Sequence, residues 1–414
     1  MGDTQLLKVI FLYTPMLKHR LALFVVPLIA PLAALLVALF SVRKRGLKAA
    51  LLVGTSLWVA FSAHAQPAWP ALLIESVAKI DQHSQGRIGV FVQDLDSGQS
   101  ASYQADQRWY LASMVKVPVA IAVLRGVQRG SFTLKTTLTL RAGDYVDGAG
   151  LTNRQPVGST LPISALMEQM IIHSDNTASD MLIDLVGISE VNAVVKSLVP
   201  DASWHITTLG DVRQQVYGAL VPTAHQLSGQ DLIRLNRQRV DADRLQLLSQ
   251  LADTPLTSFK LPTLDAAYNV YYASGRNSGR LDAYGELLAQ LANGKALGAV
   301  QTDYLLKLME RVATGTHRLK AGLPVDTPFA HKTGTQRRRI CDAGLIRLSD
   351  NGHQRRVVVV ACSRDDASLN RSELALKQVG VALCSSGLLT QGMTHAPFCQ
   401  RSPNTDRLPA DPQR

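Results

Sequence analysis

Residues 73–84, LIESVAKIDQHS, place apolar side chains at helical spacing directly after the proline-containing stretch QPAWPALL. RIGVFVQDLDSGQSASYQAD, residues 87–106, alternates, turns at Asp96-Ser97-Gly98 and continues, which predicts two antiparallel strands. YLASMVKVPVAIAVL, Tyr110 to Leu124, is apolar almost throughout and predicts a helix, with Pro118 early enough to be tolerated. ISALMEQMIIHSDNTASDMLIDLVG reads as two helices parted by a polar break at Ser174-Asp175-Asn176. SGRLDAYGELLAQLANG and TDYLLKLMERVA are two more amphipathic helices. FAHKTGTQ, ICDAGLIRLS and QRRVVVVACS predict consecutive antiparallel strands, the last two joined through Asp350-Asn351-Gly352, where Asn-Gly suits a tight hairpin. LNRSELALKQVGVALCSSGLL closes the chain as a helix. Residues 205–277 hold one short helical pattern, QLSGQDLIRLNRQ, in otherwise irregular sequence, and read as a long structured loop region. The order helix, strands, helices, strands, helix predicts an α+β fold whose antiparallel sheet takes strands from both ends of the chain. There is no internal repeat.

The N-terminus changes the picture. Residues 21–42 carry no charge and are long enough to span a bilayer, with basic residues on both sides. A second pattern follows: basic RKRGLK, apolar AALLVGTSLWVAF, and a small-residue end at Ala63-His64-Ala65, the layout of a secretory signal. The division expected is a membrane segment at 1–47, a signal-peptide-like segment at 48–65, a catalytic domain at 66–390 and a disordered polar tail at 391–414. The Arg43–Lys48 cluster favours a cytoplasmic start, so everything after Gln66 is expected outside, in the periplasm or tethered to the inner membrane. Net charge is +11, yet aromatics are only 6% and no nucleic-acid motif accompanies the charge. Four cysteines, Cys341, Cys362, Cys384 and Cys399, fit no zinc or redox spacing and suggest one or two disulfides in an exported protein. No metal or other cofactor is implied.

Three short motifs carry the chemistry: Ser113-Met114-Val115-Lys116, Ser174-Asp175-Asn176 and Lys332-Thr333-Gly334. On a helix, residues three apart share a face, so the Ser113 hydroxyl and the Lys116 amine could meet. Each motif alone is weak. In this order they resemble the set of the class A β-lactamase and penicillin-binding serine hydrolase family. The likeness extends through GVFVQDLDSGQSASYQADQRWYLASMVKVPVAIAVL, HSDNTASDMLIDLVG and LMERVATGTHRLKAGLP before HKTGT. It implies an antiparallel five-stranded sheet flanked by helices with an all-helical subdomain. Ser113 would be the nucleophile, Lys116 its base, Lys332 a neighbouring positive charge and Ser174 a proton shuttle between the lysines. Asn176 would bind a substrate amide, and the backbone N–H groups of Ser113 and Thr335 the oxyanion. Thr333, Gly334 and Thr335, with Arg338 of the Arg337-Arg338-Arg339 run, would hold a substrate carboxylate. His173 and His331 adjoin motifs but read as packing or hydrogen-bonding residues, and Asp175 as a brace for the loop backbone.

One departure separates the possible activities. The resembling β-lactamases hold a loop glutamate that activates the hydrolytic water, whereas this chain has no glutamate between Glu190 and Glu286. Asp265, four residues before Asn269, reproduces the acid-x-x-x-Asn spacing and is the candidate replacement. The leading expectation is a monomeric enzyme that opens β-lactams through a Ser113 acyl-enzyme. The alternatives are a D-alanyl-D-alanine peptidase acting on peptidoglycan stem peptides and a membrane-tethered sensor acylated without turnover.

Overall fold

Four consecutive valines, Val357 to Val360, have no polar alternation because both faces of their strand are buried. They lie at the centre of a computed structural model that describes residues 68–350 and 353–390, within the compact unit 67–414. The expected membrane and signal-like segments, the tail, Cys399 and the Asn351-Gly352 pair lie outside the described residues. The chain begins with α1 (Trp69–His83), β1 (Arg87–Asp94), β2 (Ser100–Tyr103) and β3 (Arg108–Tyr110), followed by α2 (Lys116–Gln128). A short ribbon, β4 (Thr137–Thr139) and β5 (Thr160–Pro162), leads into α3 (Ile163–Ile172), α4 (Asn176–Val186) and α5 (Ile188–Leu198). Next come α6 (Leu209–Leu220), α7 (Gly229–Arg237), α8 (Asp241–Leu251) and α9 (Leu264–Ala273). The chain continues through β6 (Ser278–Arg280), α10 (Leu281–Ala292), α11 (Ala299–Glu310), α12 (Leu319–Gly322), β7 (Phe329–Gln336), β8 (Arg339–Asp350), β9 (His353–Arg364) and α13 (Leu369–Ser385).

The sheet runs β2-β1-β9-β8-β7, and every neighbouring pair is antiparallel. β1 pairs with β9 from Arg87↔Arg364 to Asp94↔Val357, so strands from the two ends of the domain are hydrogen-bonded neighbours. Alternation divides the buried residues between two cores. Val357, Val359 and Ala361 face α1 and α13, where Trp69, Leu73, Leu376 and Val379 cover them. Val358 and Val360 face α2 and α10 in the other core. The five-stranded sheet with flanking helices, expected from the resemblance, is therefore the observed architecture.

Residues 205–277 are not a loop. They form the four helices α6–α9 around a third core of Val216, Tyr217, Leu235, Leu248, Leu264 and Tyr271, into which Tyr110 and Ala112 also pack. The helices are short, and three are begun by side-chain caps, Thr208, Ser228 and Thr263. Tertiary packing and caps, rather than a sustained period, specify them. The expected helix from Tyr110 differs too: Tyr110 ends β3, a 3-10 turn covers Ala112–Val115, and α2 starts only at Lys116.

Cys341 and Cys362 sit opposite each other in the β8–β9 ladder and are disulfide-bonded. Cys384 is disulfide-bonded as well, and the described residues hold no free cysteine. The Cys341–Cys362 bridge spans a sequence separation of 21. A loop of that length predicts that replacing both residues by alanine lowers stability by about 3 kcal/mol. Urea unfolding of oxidised wild type and the double variant checks this; coincident midpoints would count against it.

Candidate active site

The turn carrying Ser113 is held in a strained shape. Ala112 has φ of 48°, in the left-handed region that an L-residue adopts at a cost of roughly 1–2 kcal/mol. That residue stops β3 from running straight into α2 and leaves Ser113 half-buried between fully packed Ala112 and Met114. The Tyr284 hydroxyl donates to Met114 O at 2.9 Å, and Leu111 N–H to Asn277 O at 2.8 Å. Strand β7 approaches closely, because a Cβ on Gly334 would stand 2.4 Å from Leu111 O. Only glycine lets the third motif lie against the nucleophile's turn. Pro118 sits in the first turn of α2, where its missing N–H costs no hydrogen bond.

Lys116 and Lys332 are both 0% exposed. Lys116 Nζ donates to Ser174 O at 2.6 Å, Ser174 Oγ at 3.2 Å and Asn176 Oδ1 at 2.7 Å. Lys332 Nζ donates to the same Ser174 Oγ at 3.0 Å and to Thr333 O at 3.3 Å. The structure thus brings Lys116, Ser174, Asn176 and Lys332 into one cluster at the end of Ser113's turn. No hydrogen bond joins Ser113 Oγ to Lys116 among the described residues; the amine's three donors are directed at the second motif. Burial brings the Lys116 ammonium down to about 7, with the charge of Arg213 adding to it and Asp175 and Asp180 opposing. Burial also holds Lys332 well below the ordinary lysine range, helped by Lys116 and Arg318 and opposed by Asp342.

Ser174 has φ of 60°, a second left-handed residue. Its neighbours explain why the loop tolerates this. Asp175 Oδ1 accepts from Ala178 N–H, capping α4, and Oδ2 accepts from Thr152 N–H at 2.8 Å. Asp175 is thus a brace for the backbone of two loops. Asn176 Nδ2 donates to Asp147 O at 2.6 Å, so its amide is oriented by a lysine at one end and a carbonyl at the other. Gly148 lies directly against that amide, where a Cβ would come within 2.6 Å of Nδ2. The Asp147 carboxylate accepts from Arg213 Nε at 2.6 Å. Asp180, on α4, takes the first two N–H groups of α6, Leu209 and Gly210, each at 2.8 Å; burial pushes its carboxyl up to about 7.

On the third motif, Thr333 Oγ1 meets Thr314 Oγ1 at 2.5 Å and Thr335 is exposed. The arginine here is not the one expected. Arg318 is buried, and its guanidinium donates to Thr335 Oγ1, Gly334 O and Cys341 O while Glu373 pairs with its Nε. Arg338 instead has φ of 55° in the β7–β8 turn and is committed to Asp265 and to Asp365 O, although it shares a cavity of about 470 Å³ with Thr335. Of the two arginines, Arg318 is the one hydrogen-bonded to the third motif, whereas Arg338 lies across the cavity from it. Asp265 also departs from expectation. It opens α9 and is bound by both Arg337 and Arg338, which lower its pKa, and Arg337 is shared with Asp241. No hydrogen bond or ion pair links it to Ser113, Lys116 or Ser174 among the described residues, and Asn269 is exposed. His331 Nδ1 bonds Asp342 at 2.7 Å inside the sheet, and His173 is exposed. Sequence reasoning missed Arg318, Arg213 and Asp147. Arg318 stands within a run already noted for its likeness, but nothing in the sequence distinguishes a buried arginine from a solvated one.

A half-buried serine on a strained turn, a second serine between two buried lysines, and a glycine-opened strand beside them make up the site. The profile of the Beta-lactamase enzyme family matches residues 72–386, and the chain belongs to that family. Among individual relatives, β-lactamase ROB-1 of Haemophilus influenzae is 33% identical over 134 residues, 32% of this chain and 43% of that enzyme. The match thus spans less than half of that relative. β-Lactamase VEB-1 of Pseudomonas aeruginosa is 24% identical over 309 residues, 72% of this chain and 84% of its own. Two solved structures share the fold. A PBP-A mutant in an acyl-enzyme complex with penicillin G aligns at TM-score 0.56 and 22% identity, covering 76% of this chain and 94% of its own. A mutant of the last common ancestor of Gram-negative class A β-lactamases aligns at 0.58 and 22%, covering 77% and 99%.

A buried base that must be neutral sets a pH dependence. The acylation rate of Ser113 should fall tenfold per pH unit below about 7 and level off above it, since protonated Lys116 cannot accept a proton. Asp180 titrates in the same range; it holds a helix terminus and its charge raises Lys116, so its removal shifts the limb to lower pH without abolishing it. The limb should therefore persist in Asp180→Asn. A rate independent of pH from 5 to 9, or a limb that vanishes in Asp180→Asn, would contradict the assignment.

Proposed function

We propose that this chain is an exported serine hydrolase that opens the β-lactam ring through an acyl-enzyme on Ser113. The observation that carries the reading is the pair of fully buried lysines converging on Ser174 Oγ one turn from Ser113. Neutral Lys116 takes the Ser113 proton after giving up one of its three acceptors, and Oγ attacks the carbonyl carbon. The oxyanion forms at the backbone N–H groups of Ser113 and Thr335. A hydroxyl has two lone pairs and one proton; both lone pairs of Ser174 accept from lysines, so its O–H is left to donate toward the leaving nitrogen. The C–N bond breaks, the nitrogen gains that proton, and Ser174 is reprotonated from the lysine pair. Arg318 and Thr335, with Thr333, hold the substrate's carboxylate beyond the leaving nitrogen, and one Nδ2 hydrogen of Asn176 is left for the substrate's amide. The Cys341–Cys362 disulfide and the signal-like N-terminus support export into an oxidising compartment. The N-terminus supports a membrane association as well.

One observation favours a second reading, a D-alanyl-D-alanine peptidase. Asp265, the one acid in the family's spacing, is tied to two arginines, and the α6 side chain whose charge acts on Lys116 is Arg213, a cation. Acylation is then well provided for, and removal of the acyl group by water is the slow step. Full-length protein mixed with a chromogenic cephalosporin and, separately, with a D-Ala-D-Ala peptide separates the readings, followed by product release and intact mass. Many cephalosporin turnovers support the β-lactamase reading. A lasting mass adduct together with peptide cleavage supports the peptidase. Undiminished activity in Ser113→Ala would remove the serine from the mechanism altogether. Asp265→Asn should change turnover less than threefold; accumulation of acyl-enzyme in that variant would restore it as the hydrolytic base.

A further inference from the structure

Arg213 projects from α6, and its side chain is only 14% exposed. Nε is anchored on Asp147 Oδ1 at 2.6 Å, and the two Nη groups make no hydrogen bond among the described residues. Two further contacts run on from Asp147 to Lys116. The Asp147 backbone carbonyl holds Asn176 Nδ2 at 2.6 Å, and Asn176 Oδ1 holds Lys116 Nζ at 2.7 Å. Helix α6 is in turn clamped to α4 through Asp180, so the arginine is carried on a fixed element. The other end of the site, at Thr335, already has Arg318.

An arginine fixed at Nε presents its two Nη groups as a planar fork, the geometry that pairs with a carboxylate through two parallel bonds. A partly desolvated guanidinium facing a neutral substituent keeps unmet donors, whereas an anion satisfies them. Asp147 cannot fill the fork, since it is engaged at Nε. We propose that Arg213 is a specificity residue that binds a carboxylate on the acyl portion of the substrate, the part that stays on Ser113. This rests on the acyl-enzyme reading above. The favoured substrates are acyl donors with an anionic group near the scissile bond, such as a stem peptide with a free side-chain carboxylate there.

α-Carboxybenzylpenicillin and benzylpenicillin differ only in that carboxylate and make the test. Second-order rate constants for acylation of the full-length protein are measured for both, by intact mass where the adduct lasts and as kcat/KM for ring opening where it turns over. Wild type should favour the carboxylated compound, and Arg213→Gln should lower the ratio of the two constants by roughly tenfold to a hundredfold, the value of a lost charge-assisted pair. The ratio is taken within one preparation, so partial loss of folded protein cancels. Removing Arg213 leaves Asp147 buried without its cation, so Arg213→Gln/Asp147→Asn is measured alongside and should show the same fall. An unchanged ratio in the double variant, with both penicillins reacting, would overturn the assignment alone. Failure of both penicillins to label wild type, with neither being hydrolysed by it, would overturn the acyl-enzyme reading and this inference with it.

Discussion

Two ammonium groups that share one hydroxyl inside a protein each make the other's charge harder to keep. Lys116 and Lys332 are fully buried, lie within reach of Ser174 Oγ, and have no carboxylate as a direct partner among the described residues. Burial penalises each charge and proximity penalises having two. The proton therefore has a low-cost place to leave from, and on the proposed reading Ser113, a poor nucleophile in water, gains a base at neutral pH. Much else in the domain serves to keep the two amines there. The left-handed backbone at Ala112 and Ser174 turns their loops toward each other, and Asp175 ties the second loop down. Gly334 brings β7 and its lysine against Ser113's turn.

That arrangement is assembled from distant parts of the chain, and the sheet is what unites them. β1 hydrogen-bonds to β9, so the segment leading to Ser113 and the strand group bearing Lys332 belong to one continuous sheet. The disulfide between β8 and β9 joins the two strands behind β7. The helices α6–α9 add a third core that takes in Tyr110 and Ala112 themselves, so stability of the inserted helices and geometry of the nucleophile's turn are coupled. The arginines of the β7–β8 turn, bound to Asp241 and Asp265, fasten the same helices to the end of the sheet.

Most of the fold was legible because the pattern was strong: alternation for β1 and β2, an apolar run for α2, Asn-Gly between β8 and β9. The three motifs were legible because residue type and spacing are themselves the chemistry. What the sequence hid depends on long-range packing. Nothing local tells that Arg338 turns toward Asp265 while Arg318, twenty positions earlier, lies along the third motif. The spacing of Asp265 and Asn269 matched a useful pattern, but on α9 the first is claimed by arginines and the second faces solvent. Residues 205–277 lacked a sustained period because their helices are short and capped, and their apolar residues serve a core shared among four elements.

The charge state of the buried pair is open to direct observation. Lysine labelled with ¹³C at Cε reports its own protonation as pH is varied, and Lys116→Met assigns the signal by its disappearance. One buried lysine signal should titrate near 7 and be absent from the Lys116→Met spectrum. If every lysine signal instead titrates above about 10, the ordinary value for an ammonium in water, Lys116 is charged at rest and is not the base that activates Ser113.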